Sequence, residues 1–181
     1  MSLATPCGAW TVADLIAHMN TEHAAICGAD HHPQADPRTQ FTPIASAWLD
    51  YFTAAGDTVL VPKMGATLPT AMVLATHFAD MLIHRWDLAV ALGRSTGTPE
   101  ELIAAAYPVA DLITDEDSLL VGPGAAYAPA LPANPHDDPE QALVCKFGRN
   151  PHWLPPTSPA AERFWTQELD HLASDTRGSQ R

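Results

Sequence analysis

The chain has 181 residues, 46% of them hydrophobic, and its 21 acidic against 9 basic side chains leave a formal net charge of −12. That length fits one domain with a sizeable core, and the acidic balance argues against nucleic acid and anionic membrane surfaces as partners. No apolar run reaches the length of a membrane span, residues 1–20 lack a basic segment followed by an apolar one, and Cys7, Cys27 and Cys145 form no CxxC pair. The expectation is a cytoplasmic protein without a disulfide framework.

In chain order, Thr11 followed by Asp14 is an N-cap signal before an apolar-periodic run. Val12, Leu15, Ile16, Met19, His23 and Ile26 share one side of this first helix, which should end near Gly28, with His18 at the border of that side. Gly28 to Thr39 reads as a polar loop in which His31 and His32 are solvated. Thr42-Pro43 then opens a second helix with proline at its first position. Ile44, Trp48, Tyr51 and Phe52 form its core stripe, and Gly56 ends it. Thr58 to Pro62 is β-branched and reads as a strand fragment crossing the end of a bundle.

A long third helix follows from Pro69 to Leu92, stopped by Gly93. Thr98-Pro99-Glu100-Glu101 starts the fourth helix with a capping threonine, and Pro108 is expected to kink it. The Pro/Gly-rich stretch around Leu119–Asp138 should be irregular, and a short helix occupies Pro139–Phe147. The segment Pro159–Ser174 is amphipathic through Phe164, Trp165, Leu169 and Leu172. Four good helical patterns with almost no strand signal predict an all-α helical bundle over residues 1–156, followed by a C-terminal helical extension and tail at 157–181.

The third helix carries the chemistry. His77, Asp80 and His84 fall at i, i+3 and i+7 and project from one face. Two imidazoles and a carboxylate within two turns suit a borderline cation such as zinc, which still needs a ligand from another helix, and His18 is the best candidate. Glu22 lies one turn beyond it. Two other readings stand beside this one. Asp80 and His84 can form a hydrogen-bonded i, i+4 pair with no metal, or the bundle can bind a ligand or partner through a pocket lined by Trp48, Trp86 and Phe78. The sequence has no GxGxxG after a strand, no P-loop and no GxSxG elbow. Cys7 lies ahead of a helix N-terminus, where a thiolate is favoured, although a small buried residue is the simpler account.

Three blocks carry a resemblance. Thr5-Pro6-Cys7-Gly8-Ala9-Trp10-Thr11-Val12, with His18 following, resembles the "TPCxxWTVxDLxxH" opening of the DinB-like superfamily, in the branch related to mycothiol-dependent maleylpyruvate isomerase. Asp80 to Leu92, DMLIHRWDLAVAL, is similar to that branch's "D/E-xxx-H-x-WDLA" segment, and Phe147 to Pro156, FGRNPHWLPP, to its "LGRDPxWxPP" signature. The resemblance implies a four-helix bundle holding a divalent metal, usually zinc, with His18, Asp80 and His84 as ligands. Aspartate stands at position 80 where the isomerase is expected to carry glutamate, which keeps the charge on a shorter arm. His77 has no secure counterpart.

The implied activity is that of a thiol-dependent isomerase or transferase. The metal lowers the pKa of a low-molecular-weight thiol such as mycothiol, and the thiolate meets a small-molecule electrophile. Arg85 or Arg94 would hold an acidic substrate group, and Asp87 would orient a neighbour. The alternative is a non-enzymatic metal-binding bundle. Relatives carry a further helix before the TPC block, so the fourth wall is expected to be absent, supplied by another subunit as in a homodimer, or replaced by the Pro159–Ser174 helix.

Overall fold

The computed structural model describes residues 2–156 except 116, 119, 124 and 135. Helix α1 spans Val12–Cys27. Its start is a reciprocal capping box: the Asp14 amide donates to the Thr11 hydroxyl at 3.3 Å, and the Thr11 amide donates to the Asp14 carboxylate at 2.9 Å. Gly28 takes the C-terminal cap, as the sequence predicts. Val12, Leu15, Met19, His23 and Ala24 are buried, and Asn20 joins them by donating to the Pro37 carbonyl at 2.7 Å. That bond ties α1 to the first turn of the next helix.

Helix α2 spans Pro37–Ala54, so it begins well before Thr42-Pro43. The true start is Asp36-Pro37: the Asp36 side chain accepts from the Arg38 amide at 3.0 Å, and Pro37 takes the position where a missing N–H costs nothing. Pro43 lies inside the helix, which forgoes one backbone hydrogen bond there. Ile44 and Trp48 are buried on its inner face, whereas Tyr51 and Phe52 are half-buried.

The strand fragment is half of a hairpin. Strand β1, Thr58–Val61, pairs antiparallel with β2, Ala66–Pro69, with Val59 opposite Leu68, across a 3-10 turn at Pro62–Met64. The expectation of an all-α chain is therefore corrected to a mostly helical one with a small two-stranded sheet. The second strand has one β-branched residue, Thr67, where the first has three; pairing, not propensity, makes it a strand.

Helix α3 spans Thr70–Ala91, α4 Glu100–Ile113 and α5 Pro139–Lys146. Pro99, not Thr98, occupies the N-cap of α4, and no side chain caps it. Helix α1 packs along α2, and α3 packs on α4, which packs on α5, whereas α1 meets α3 over a shorter stretch and α2 reaches α3 through Trp48 against His77. The main core lies between α3, α4 and α5: Ala79, Ile83 and Trp86 face Ile103, Ala106, Ala110, Leu143 and Phe147. Phe78 packs against this same cluster, so neither Trp86 nor Phe78 shares a pocket with Trp48. Among the described residues no helix is long and apolar enough to cross a membrane. The proposed Pro159–Ser174 helix and the 157–181 extension lie outside the described residues.

Candidate metal centre

His84 is 3% exposed, and its two ring nitrogens are in opposite situations. Nδ1 lies 3.2 Å from Asp87 Oδ2, a carboxylate one turn along α3, while Nε2 is buried with no hydrogen-bond partner among the described residues. The nearest carboxylate oxygen on that side, Asp80 Oδ2, is 3.6 Å away. This exceeds hydrogen-bonding distance, so the simple i, i+4 hydrogen-bonded pair is not formed. It does match the spacing of two ligand atoms on one tetrahedral ion, roughly 3.4 Å for bonds of about 2.1 Å. The other oxygen, Asp80 Oδ1, accepts from the Tyr127 hydroxyl at 2.8 Å, which orients the carboxylate. Burial, reinforced by the Asp80 charge, pushes the Tyr127 pKa up and keeps it a donor.

His18 approaches from α1. Its ring stands edge-on to that of His84 with centroids 5.4 Å apart, and Trp10 packs against it at 4.7 Å. Burial, and secondarily the neighbouring His84, lower its pKa and favour the neutral imidazole that metal ligation requires. His18 Nδ1 lies 3.9 Å from Glu22 Oε1, which also accepts from Lys63 at 2.8 Å. His18 and Asp80 thus each neighbour His84, with Glu22 beside His18. Among the described residues no group of three or more His, Cys, Asp or Glu side chains is placed so that it could hold a metal ion as it stands. Asp80 and His84 have the donor chemistry and the mutual spacing for a cation; His18 has the chemistry and adjoins them.

Behind His84 lies a polar cluster that joins three distant parts of the chain. Asp87 is fully buried and accepts from Arg149 Nε at 3.2 Å and Nη2 at 3.1 Å. Arg149 also donates to the Phe147 carbonyl at 3.1 Å and to Cys7 Sγ at 3.2 Å. Burial works against the Arg149 charge, but the Asp87 carboxylate outweighs it and holds the pKa above its usual value. Burial pushes the Cys7 thiol up to about 11, so Cys7 is a neutral, packed residue and not an activated nucleophile. Its turn is braced by the Thr5 hydroxyl, which donates to the Trp10 carbonyl at 2.9 Å.

His77 turns away from this site. Its Nε2 lies 3.0 Å from His23 Nε2 on α1, and Trp48 packs over its ring at 4.1 Å. Burial, then the neighbouring His23, lowers the His77 pKa to about 4. A histidine kept neutral by the fold contributes stability that is complete above its unfolded pKa of about 6.5 and is lost as pH falls through the folded value. Unfolding midpoints measured between pH 7 and pH 4 should therefore fall with pH less steeply in His77→Phe than in the wild type. Equal slopes would show that His77 does not carry the effect.

Arg149 and Tyr127 are the participants that spacing does not single out, and spacing places His23 only on the apolar side of α1. Arg149 stands inside the FGRNPHWLPP block, but Tyr127 lies in the irregular stretch with no local signal. No protein-family model matches the chain, and no solved structure matches it. Two curated proteins of Mycobacterium tuberculosis do: uncharacterized protein MT0763 of strain CDC 1551 / Oshkosh and uncharacterized protein Rv0738 of strain ATCC 25618 / H37Rv. Each is 28% identical over 152 residues, covering 80% of this chain and 82% of the relative.

Proposed function

We propose that the chain is a divalent-cation-binding helical protein of the DinB-like superfamily, with α1–α4 as its bundle and His18, Asp80 and His84 as ligands. The observation that carries this is the buried, unpartnered Nε2 of His84, whose opposite nitrogen is held by Asp87. A carboxylate on the far side of a ring is the usual support of a metal-ligating histidine. Tyr127 does the corresponding work for Asp80. Further support comes from the polar cluster, because Cys7, Asp87 and Arg149 bring the three resembling blocks into contact.

Two neutral imidazoles and one carboxylate favour zinc and leave a coordination position open. A cation bound there would supply Lewis acidity, which lowers the pKa of a thiol or water. The residues themselves would orient: Asp87 aims His84, Tyr127 aims Asp80, and Trp10 limits the rotation of His18. We take a thiol-dependent isomerase or S-transferase acting on a small electrophile, with mycothiol as the implied thiol, as the activity of this site. The non-enzymatic cation binder is the second reading.

Dialysis against zinc should leave about one ion per chain in the wild type. His84→Ala should lose tight binding, and Asp80→Asn should weaken it at least tenfold by removing the anionic ligand. Stoichiometric zinc in the His18→Ala/His84→Ala double variant would refute the assignment. Turnover of electrophiles that requires added thiol and stops with chelator separates the enzyme from the passive binder.

A further inference from the structure

A cavity of about 450 Å³ opens between α1, α2 and α3. This volume lies within the range of small-molecule sites, roughly 300–1,000 Å³. Its walls are apolar and aromatic: Phe41 and Trp48 from α2, and Met81 and Leu88 from α3. His23 and His77 complete them, with Trp48 packed over His77 and 5.6 Å from His23.

Three polar features of this lining point to a ligand. Trp48 is 6% exposed and its Nε1 has no hydrogen-bond partner among the described residues; His23 is 4% exposed and its Nδ1 has none either. Native proteins rarely leave such atoms unmatched, since each costs about 1–3 kcal/mol. The third is Arg85, an exposed residue that lines the cavity from α3. Arg38 pairs with Asp36 and Arg149 with Asp87, but Arg85 has no carboxylate partner among the described residues and donates to the Thr96 carbonyl at 2.6 Å. In a chain with 21 acidic and 9 basic residues, an arginine without a carboxylate beside an apolar cavity suits an incoming anion.

We propose that this cavity binds a flat, apolar carboxylate, its ring against the wall formed by Phe41, Met81 and Leu88 and its carboxylate on Arg85. The inference rests on the cavity lining alone and needs no cation.

The test is a fluorescence titration of the full chain with 2-naphthoate and, as an uncharged control, its methyl ester, in metal-free buffer. Saturable binding of naphthoate is expected, with the ester at least tenfold weaker. Arg85→Gln, on an exposed position that the fold tolerates, should weaken naphthoate at least tenfold and leave the ester unchanged. Ala45→Trp should abolish both by filling the cavity, and Leu88→Trp, which fills it from α3, provides a second variant should Ala45→Trp fail to fold; it should abolish both as well. The absence of saturable naphthoate binding, or equal affinities in wild type and Arg85→Gln, would overturn the proposal. Because metal is excluded throughout, either outcome leaves the zinc result to be judged on its own.

Discussion

Replacing Asp87 by alanine should destabilise the protein by about 3–5 kcal/mol, the scale for removing one partner of a buried ion pair. Asp87 is fully buried and Arg149 is 6% exposed, so the variant strands a guanidinium that water cannot reach. The same carboxylate holds His84, so the loss also frees the imidazole. In a domain whose whole stability is of order 5–15 kcal/mol, such a loss shows plainly in the midpoint of urea unfolding. The double variant Asp87→Leu/Arg149→Met should recover most of the stability, because the cost lies in the uncompensated charge. Asp87→Asn keeps the shape, and should weaken zinc roughly 10–100-fold through the loss of orientation at His84. A stability within about 1 kcal/mol of wild type for Asp87→Ala would show that Arg149 finds another partner or solvent.

Gly148→Ala should be nearly as costly. Gly148 has φ +70°, and a Cβ there would lie 2.6 Å from Ala128 Cβ, 2.8 Å from the Ala128 carbonyl oxygen and 2.9 Å from that of Pro129. The left-handed backbone alone costs an alanine about 1–2 kcal/mol. The overlap adds about 1–3 kcal/mol, since two of the three atoms are backbone and must shift together. The segment that has to move adjoins Tyr127, so the hydrogen bond to Asp80 should loosen as well. Gly97→Ala is the control: its φ is +55° and nothing lies within 4 Å, so it carries the backbone cost without the overlap. Comparing their unfolding free energies isolates the steric part, and equal losses would show that the segment 128–129 yields freely.

The local signals were legible where the physics is local. The Thr11–Asp14 box and Gly28 set both ends of α1, and Gly93 with Pro69 bracketed α3, because caps are decided by residues within one turn. The helical period likewise placed Asp80 and His84 on one face before any tertiary contact was known. The α2 start was less legible: Asp36-Pro37 and Thr42-Pro43 both carry start signals, and at the true start, capped by Asp36, the Asn20 side chain of α1 also donates to the Pro37 carbonyl.

Tertiary structure alone decided what those side chains do. The period that puts His77 beside Asp80 could not foresee that it would pair with His23, 54 residues away. The Tyr127 bond to Asp80 spans 47 residues and begins in a stretch without periodicity; the Arg149 bond to Asp87 spans 62. Each depends on how α3 settles against its neighbours, and burial raises the penalty for leaving any of these groups unpaired. Chain-local rules therefore determined which residues could reach a common place on α3. The packing of α4, α5 and the loops around it determined that Arg149 joins His84 on Asp87 and that Tyr127 takes one Asp80 oxygen, because these partners are assigned by proximity in space, whereas the His84–Asp87 contact is a single helical turn that spacing alone already allowed.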